Sequence, residues 1–279
     1  MTGTTNEKLQ KLKQILADTG GCAIAFSGGV DSSLLVTVAH EVLGERMLAV
    51  IATSSIYPER ECKWALDFVQ SRNIPHIVVD SEELDIPGYS ANPRNRCYYC
   101  KRELFEKVWA QAKAHGLPRV ADGSNADDAH DYRPGLEAAR EFEVISPHRM
   151  AGLTKQDIRT IARENYHLDV ADKPAMACLA SRFPYGFEIT RDKLGQIERM
   201  EIFLEQNGFR IYRARHHGDV LRLELGADEM ASVFADGLRE RIVATAKSLG
   251  FLYITLDLEG YRSGSMNETL IPQKRDETG

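Results

Sequence analysis

Leu9, Leu12, Ile15 and Leu16 recur at helical spacing and predict an amphipathic helix over residues 7–18. Short apolar runs then alternate with longer stretches of helical period. The runs predict strands at 22–26, 47–52, 76–79, 119–121 and 143–145, with helices at about 32–43, 59–72, 99–115 and 155–165. Thr154 with Asp157 three residues on has the form of a capping box at the last helix. Regular strand–helix alternation implies an α/β domain with a mainly parallel sheet and flanking helices.

The rhythm changes after Arg182-Phe183-Pro184-Tyr185-Gly186. Thr190 can cap a helix to about residue 207. Strand-like runs follow at 209–215 and 220–225, joined by His216-His217-Gly218-Asp219. A helical region broken near Gly237 and a last strand at 252–256 complete the pattern. The order α-β-β-α-β predicts a smaller α+β domain. The expected division is residues 1–183 for the nucleotide domain, 187–270 for a smaller substrate or oligomerisation domain, and 271–279 for a polar tail.

Composition narrows the class. The 279 residues are 43% hydrophobic and 27% charged, as in ordinary globular proteins. A net charge of −6 argues against a nucleic-acid partner. No apolar run is long enough for a membrane span, and the opening MTGTTNEKLQKLKQ has no signal-peptide core, so a cytoplasmic location is expected. Five cysteines are too few and too unevenly spaced for a disulfide framework.

Candidate chemistry begins at Ile24-Ala25-Phe26-Ser27-Gly28-Gly29-Val30-Asp31-Ser32-Ser33. A strand ends there and a helix begins, offering unpaired N–H groups and a positive dipole end. Glycines let these amides approach an anion, and Ser27, Ser32 and Ser33 add hydroxyl donors, so the stretch suits phosphate. Asp31 would repel phosphate unless a divalent cation such as magnesium bridges the two. Neither a Walker A loop nor a GxGxxG turn is present. Past the strand at 119–121, Asp122-Gly123-Ser124-Asn125-Ala126-Asp127-Asp128 is a second polar turn, with Gly123 and Asn125 as candidate nucleotide contacts.

Cys97 and Cys100 form a C-x-x-C, and Cys178 lies in a separate run ending Leu179-Ala180-Ser181-Arg182. Such a pair can be redox-active, half of a zinc site, or two ligands of an iron–sulfur cluster. Cys22 and Cys62 fall in apolar patterns and read as buried thiols. Arg213 and Arg215 alternate along a strand and point to one face, either a grip for a substrate phosphate or a solvated surface. Arg182 beside Ser181 is expected to face substrate, and His216 and His217 are expected to be solvated in a turn.

The hexapeptide SGGVDS resembles the pyrophosphate-binding loop of the ATP pyrophosphatase superfamily, and Gly123-Ser124-Asn125 with Asp128 resembles a nucleotide-lining segment of the same superfamily. The wider set of motifs is similar to the LarE family of sulfur transferases. These are SGGVDSS, N-R-C-Y-Y-C-K, D-K-P-x-x-x-C-L-A-S-R, R-A-R-H-H-G-D and D-L-E-G-Y-R-S-G-S-M-N-E. The resemblance implies ATP-dependent adenylylation of a pyridinium-3,5-dicarboxylate mononucleotide, with release of pyrophosphate. Sulfur then displaces AMP to give thiocarboxylates for the nickel-pincer cofactor of lactate racemase. It further implies ATP and Mg2+ as cofactors and an acidic pair, Glu201 and Glu224, near the site. Cys178, Asp31, Ser181 and Arg182 carry the catalytic expectation, and Val30 belongs to the ATP loop. Two sulfur sources occur in the family: a sacrificed cysteine matching Cys178, or a [4Fe–4S] cluster on cysteines matching Cys97, Cys100 and Cys178. The three cysteines favour the cluster. Expected partners are the small-molecule substrate, a sulfide donor, other enzymes of nickel-pincer biosynthesis and further copies of this chain. A tRNA thiolation enzyme and a non-catalytic nucleotide sensor are the competing readings.

Overall fold

The computed structural model describes residues 4–130, 135–174, 177–262 and 264–265. The expected polar tail at 271–279, and Met266, Asn267 and Glu268 of the last motif, lie outside the described residues. The chain divides into two compact units. The first contains Met1–Tyr89 and Pro93–Met176, and the second contains Ser90–Asn92 and Ala177–Gly279.

In the first unit, α1 (Thr5–Asp18) leads into β1 (Cys22–Ala25), α2 (Val30–Leu43), β2 (Met47–Thr53), α3 (Glu59–Ser71) and β3 (His76–Asp80). Then come α4 (Arg96–Ala114), β4 (Arg119–Ala121), α5 (Gly135–Glu141), α6 (Pro147–Ala151) and α7 (Lys155–Glu164). The four strands are parallel in the order β3-β2-β1-β4. β1 is buried on both faces, as a central parallel strand must be when helices cover each side. Alternation sorts its side chains: Cys22 and Ile24 join a core with α1, α2, α3 and α7, while Ala23 and Ala25 join one with α4 and α5. The parallel sheet with flanking helices is the fold class that the alternating pattern implies.

Local signals place the helices well. Thr154 and Asp157 form the reciprocal capping box at α7. The apolar run at 143–145 is not a strand; it keeps a single bridge, Ala121 to Ile145. Glu143 has φ 52°, and a chain turning between α5 and α6 cannot extend a ladder there.

The second unit comprises α8 (Arg191–Gln206), β5 (Tyr212–His217), β6 (Val220–Leu225), α9 (Leu238–Ser248) and β7 (Tyr253–Leu256). β5 pairs antiparallel with β6, and β7 pairs parallel with β6. Thr190 caps α8, accepting from the Lys193 amide. Residues 177–183, grouped by sequence with the nucleotide domain, pack within this second unit. So do Ser90–Asn92, because the buried Asn92 amide donates to the carbonyls of Phe183 and Pro184 at 3.2 and 2.7 Å. Among the described residues no helix is long and apolar enough to cross a membrane.

Candidate active site

The loop Ser27-Gly28-Gly29 runs from β1 directly into α2. Gly28 has φ +74°, the left-handed region where a side chain is strained. A Cβ there would also meet Ala65 Cβ and Trp64 Cε3, each at 3.2 Å. Gly29 is the N-cap of α2 and makes no side-chain cap bond, so the first-turn amides of α2 are not claimed by a capping side chain. Ser27 is exposed, whereas Ser32 is buried, with its Oγ on the Gly29 carbonyl at 3.1 Å and 3.2 Å from Ser27 Oγ. Ser33 Oγ is buried and has no hydrogen-bond partner among the described residues.

β4 neighbours β1, so the loop after β4 arrives beside the first. A Cβ on Gly123 would lie 3.1 Å from the Ser32 amide nitrogen, so any side chain there would push the α2 backbone away by a few tenths of an ångström. Asn125 Nδ2 donates to Asp31 Oδ1 at 3.3 Å, and Asp128 accepts from the Asn125 amide. The two polar turns predicted separately are thus one site at the carboxyl ends of adjacent strands, where the strand order reverses and open α/β sheets take ligands.

Two residues of this site were not foreseen. Lys155, at the start of α7, donates its Nζ to Asp31 Oδ2 at 2.5 Å. His148, fully buried on α6, donates Nε2–H to the Asp31 carbonyl at 2.9 Å, which leaves Nδ1 unprotonated. Burial pulls its pKa down, so the ring is neutral. A lysine at a helix start and a histidine after a proline have no motif of their own. The capped start of α7 fixed where Lys155 would lie, but not what it would meet. The carboxylate oxygens of Asp31 suit a hard cation such as Mg2+ in donor type.

Cys97 and Cys100 occupy the first turns of α4 with i,i+3 spacing, on one helix face. Cys97 is exposed and Cys100 half-buried, and neither of them nor Cys178 is in a disulfide. Cys100 Sγ lies 3.5 Å from Glu83 Oε1 and 3.5 Å from the Tyr57 hydroxyl. Glu83 is itself buried and takes a hydrogen bond from Ser54, and desolvation raises its pKa. Cys22 is a buried thiol whose pKa burial pushes up to about 12, while Cys62 is half-buried. Three cysteine thiols fit the donor chemistry of an iron–sulfur cluster. Among the described residues, no group of three or more His, Cys, Asp or Glu side chains is arranged to hold a metal ion.

In the second unit the predicted charged residues form a buried layer. Arg182 is 0% exposed and grips Glu201 with two bonds, Nε to Oε1 at 2.9 Å and Nη2 to Oε2 at 3.0 Å. Its Nη1 donates to the carbonyls of Ala177 and Cys178 and to Ser181 Oγ. Ser181 Oγ in turn donates to the Cys178 carbonyl at 2.7 Å. Arg182, expected from sequence to face substrate, directs these donors into the protein and ties the Cys178 backbone to α8. Glu201 also accepts from the Ala214 amide of β5.

Arg213 and Arg215 are both buried, so their face of β5 is not a solvated one. Arg215 pairs with Glu224 at 2.6 Å and donates to the Ser181 carbonyl and Ser265 Oγ. Arg213 lies over the Tyr261 ring at 4.9 Å, and burial together with Arg182 nearby lowers its pKa. Glu201 and Glu224 are fully buried ion-pair partners here. His216 and His217 belong to β5, not to a turn, and His216 is buried against Phe183 and Phe251.

Comparison with known proteins agrees with this geometry. The NAD synthase family profile matches residues 5–92, which include the phosphate loop. An uncharacterized protein of Synechocystis is 42% identical over 264 residues, 94% of this chain and 98% of the relative. The argininosuccinate synthase of Natronomonas pharaonis is 30% identical over 161 residues, 53% of this chain and 40% of its own. The pyridinium-3,5-bisthiocarboxylic acid mononucleotide synthase of Lactiplantibacillus plantarum is 34% identical over 270 residues, 96% of each chain. That match spans the phosphate loop, the cysteine segments and the buried arginine layer alike, and it shows that the chain belongs to the LarE family and is an ATP-dependent sulfurtransferase built on a PP-loop domain.

Proposed function

We propose that this enzyme adenylylates the carboxylates of a pyridinium-3,5-dicarboxylate mononucleotide and converts them to thiocarboxylates for a nickel-pincer cofactor. The observation that carries the reading is the meeting of two loops, Ser27–Gly29 and Gly123–Asn125, at the N-terminus of α2 beside Asp31 and Lys155. The amides of the first loop and the hydroxyls of Ser27 and Ser32 hold the phosphates. Asp31 would hold Mg2+, and Lys155, which pairs with Asp31, would then be placed to contact phosphate oxygen. A substrate carboxylate oxygen attacks the α-phosphorus, the α–β bridging oxygen leaves with pyrophosphate, and an acyl-adenylate forms. Attack by sulfur on the acyl carbon expels AMP and leaves a thiocarboxylate. Activation is needed because AMP is a far better leaving group than oxide. The relative from Lactiplantibacillus, whose name states this product class, supports the substrate assignment.

Cys97, Cys100 and Cys178 are the proposed ligands of a [4Fe–4S] cluster. The three thiolates would hold the cluster, which would supply sulfide for transfer. Glu83 and Tyr57 hold the Cys100 side chain, and Arg182 with Ser181 holds the Cys178 backbone. Arg213 and Arg215 are the proposed grip for the substrate phosphate.

With ATP and the pyridinium substrate, AMP and pyrophosphate are the expected products; ADP as the main product would remove the adenylylation reading. Cys97→Ala, Cys100→Ala and Cys178→Ala should each abolish iron binding, read by absorption of anaerobically reconstituted protein, and stop thiocarboxylate formation. If Cys97→Ala instead sustains one turnover and mass spectrometry finds dehydroalanine at position 178, Cys178 is the sacrificed donor.

A further inference from the structure

Lys173 lies just past the short helical turn Asp169–Asp172. Its Nζ is 2.6 Å from Glu61 Oε2 and 4.1 Å from the centroid of the Trp64 ring. Glu61 and Trp64 are three residues apart on α3 and share a face. Trp64 is also the wall of the phosphate loop, since a Cβ on Gly28 would meet its Cε3 at 3.2 Å. The ammonium of Lys173 and the Gly28 backbone thus both lie against the Trp64 indole. Arg159 on α7 pins the main chain below it, donating to the carbonyls of Ala171 at 2.6 Å and Lys173 at 3.2 Å. The pivot is fixed, while the four-carbon stem can swing.

The charges around the loop are unequal to its task. Its own donors are neutral amides and hydroxyls, and Lys155, even when released from Asp31, supplies a single positive charge. Pyrophosphate carries several negative charges, and a compact ammonium serves phosphate as a point charge. Lys173 is 22% exposed and Glu61 15% exposed, so their pair is partly hydrated and readily exchanged for a multivalent anion.

We propose that Lys173 is a pyrophosphate-binding residue, exchanging its ammonium between the Glu61–Trp64 seat and the β,γ-phosphates of ATP or the departing pyrophosphate. The proposal rests on the reading that ATP is cleaved between its α and β phosphates at this loop.

The test measures binding of magnesium pyrophosphate and of AMP by calorimetry to the full chain and to Lys173→Met, Lys173→Arg and Glu61→Gln. Lys173→Met should weaken pyrophosphate about 10- to 100-fold. AMP, which lacks the β and γ groups, should hold its affinity. Lys173→Arg should restore most of the pyrophosphate affinity, and Glu61→Gln should tighten it by removing the competing carboxylate. A role confined to holding the fold would weaken AMP and pyrophosphate together, lower the melting temperature and give no gain in Glu61→Gln; that result overturns the proposal. Unchanged pyrophosphate binding in Lys173→Met overturns it as well. Wild-type protein binding neither ligand would defeat the underlying phosphate-loop reading, whereas wild type binding both beside an indifferent Lys173→Met defeats the lysine assignment alone.

Discussion

The phosphate loop of the first unit and the arginine layer of the second both gather polar groups, but by different physical means. The loop works through main-chain amides at a helix start, made accessible by glycine, with Ser27 and Gly29 exposed. The layer works through side chains removed from water, with Arg182, Glu201 and Glu224 fully buried. An amide-built site is defined by local backbone geometry and tolerates change at its edges. A layer of buried ion pairs is held by mutual compensation, and loss of one member leaves an uncompensated charge.

The largest expected effect falls on the layer. Glu201→Ala leaves Arg182 buried without its carboxylate and should cost about 3–5 kcal/mol. Both tryptophans, Trp64 and Trp109, belong to the first unit, so their fluorescence reports that unit alone. The circular dichroism transition of Glu201→Ala in urea should therefore precede its fluorescence transition. Coincident transitions shifted together would mean that the layer is not an independent source of stability.

Next come the two strand arginines. Removal of a charge-assisted contact costs about 1.5–3 kcal/mol, or roughly 10- to 150-fold in binding. Arg213→Ala and Arg215→Ala should each raise the KM for the pyridinium substrate in that range. Arg215→Ala should also lower the melting temperature more, because it strips a partner from Glu224. Unchanged kinetics in both would make the layer purely structural.

Within the loop, Gly28 and Gly29 make a sharper contrast. Gly28→Ala places a side chain at φ +74° against Trp64 and should cost about 1–2 kcal/mol, with weakened ATP binding. A Cβ on Gly29 meets only Ser27 Oγ at 3.7 Å, so Gly29→Ala should fold as the wild type does. Equal destabilisation by both would contradict a loop defined by backbone conformation at one residue.

The smallest effect is a pH slope in the second unit. His216 Nε2–H donates to Gln196 Oε1, and its bare Nδ1 accepts from the Gly218 amide, so the ring is held neutral. Burial lowers its pKa to about 4. A depressed folded pKa means that the unfolded chain binds the proton first as pH falls. This contribution to stability is complete above about pH 6.5 and is lost towards about pH 4, at no more than about 1.4 kcal/mol per pH unit. Protonation must break the Gly218 contact at the β5–β6 hairpin. Urea midpoints between pH 7 and 4 should fall in the wild type and fall less in His216→Gln; parallel profiles would assign the slope elsewhere.

Sequence alone determined the strand–helix alternation of the first unit, the caps at Thr154 and Thr190, and the phosphate loop. Each depends on residues within a few positions of one another, and its chemistry lies in the main chain or in a capping side chain, so spacing suffices. The same locality explains the error at 143–145, where an apolar run looked like a strand although a left-handed residue and two short helices prevent one. Tertiary structure decided the rest. Lys155 meets Asp31 across 124 positions, Lys173 meets Glu61 across 112, and Asn92 joins the second unit through Phe183 and Pro184. Which partners Arg182 takes within the protein also waited on the fold, because a guanidinium suits many until its neighbours are known. Glu201, one residue type among many acidic ones, became its partner only when α8 packed beside residues 179–182. Charge partners chosen by packing carry no spacing rule, since the distance that matters is through space and the chain between them is free to be any length.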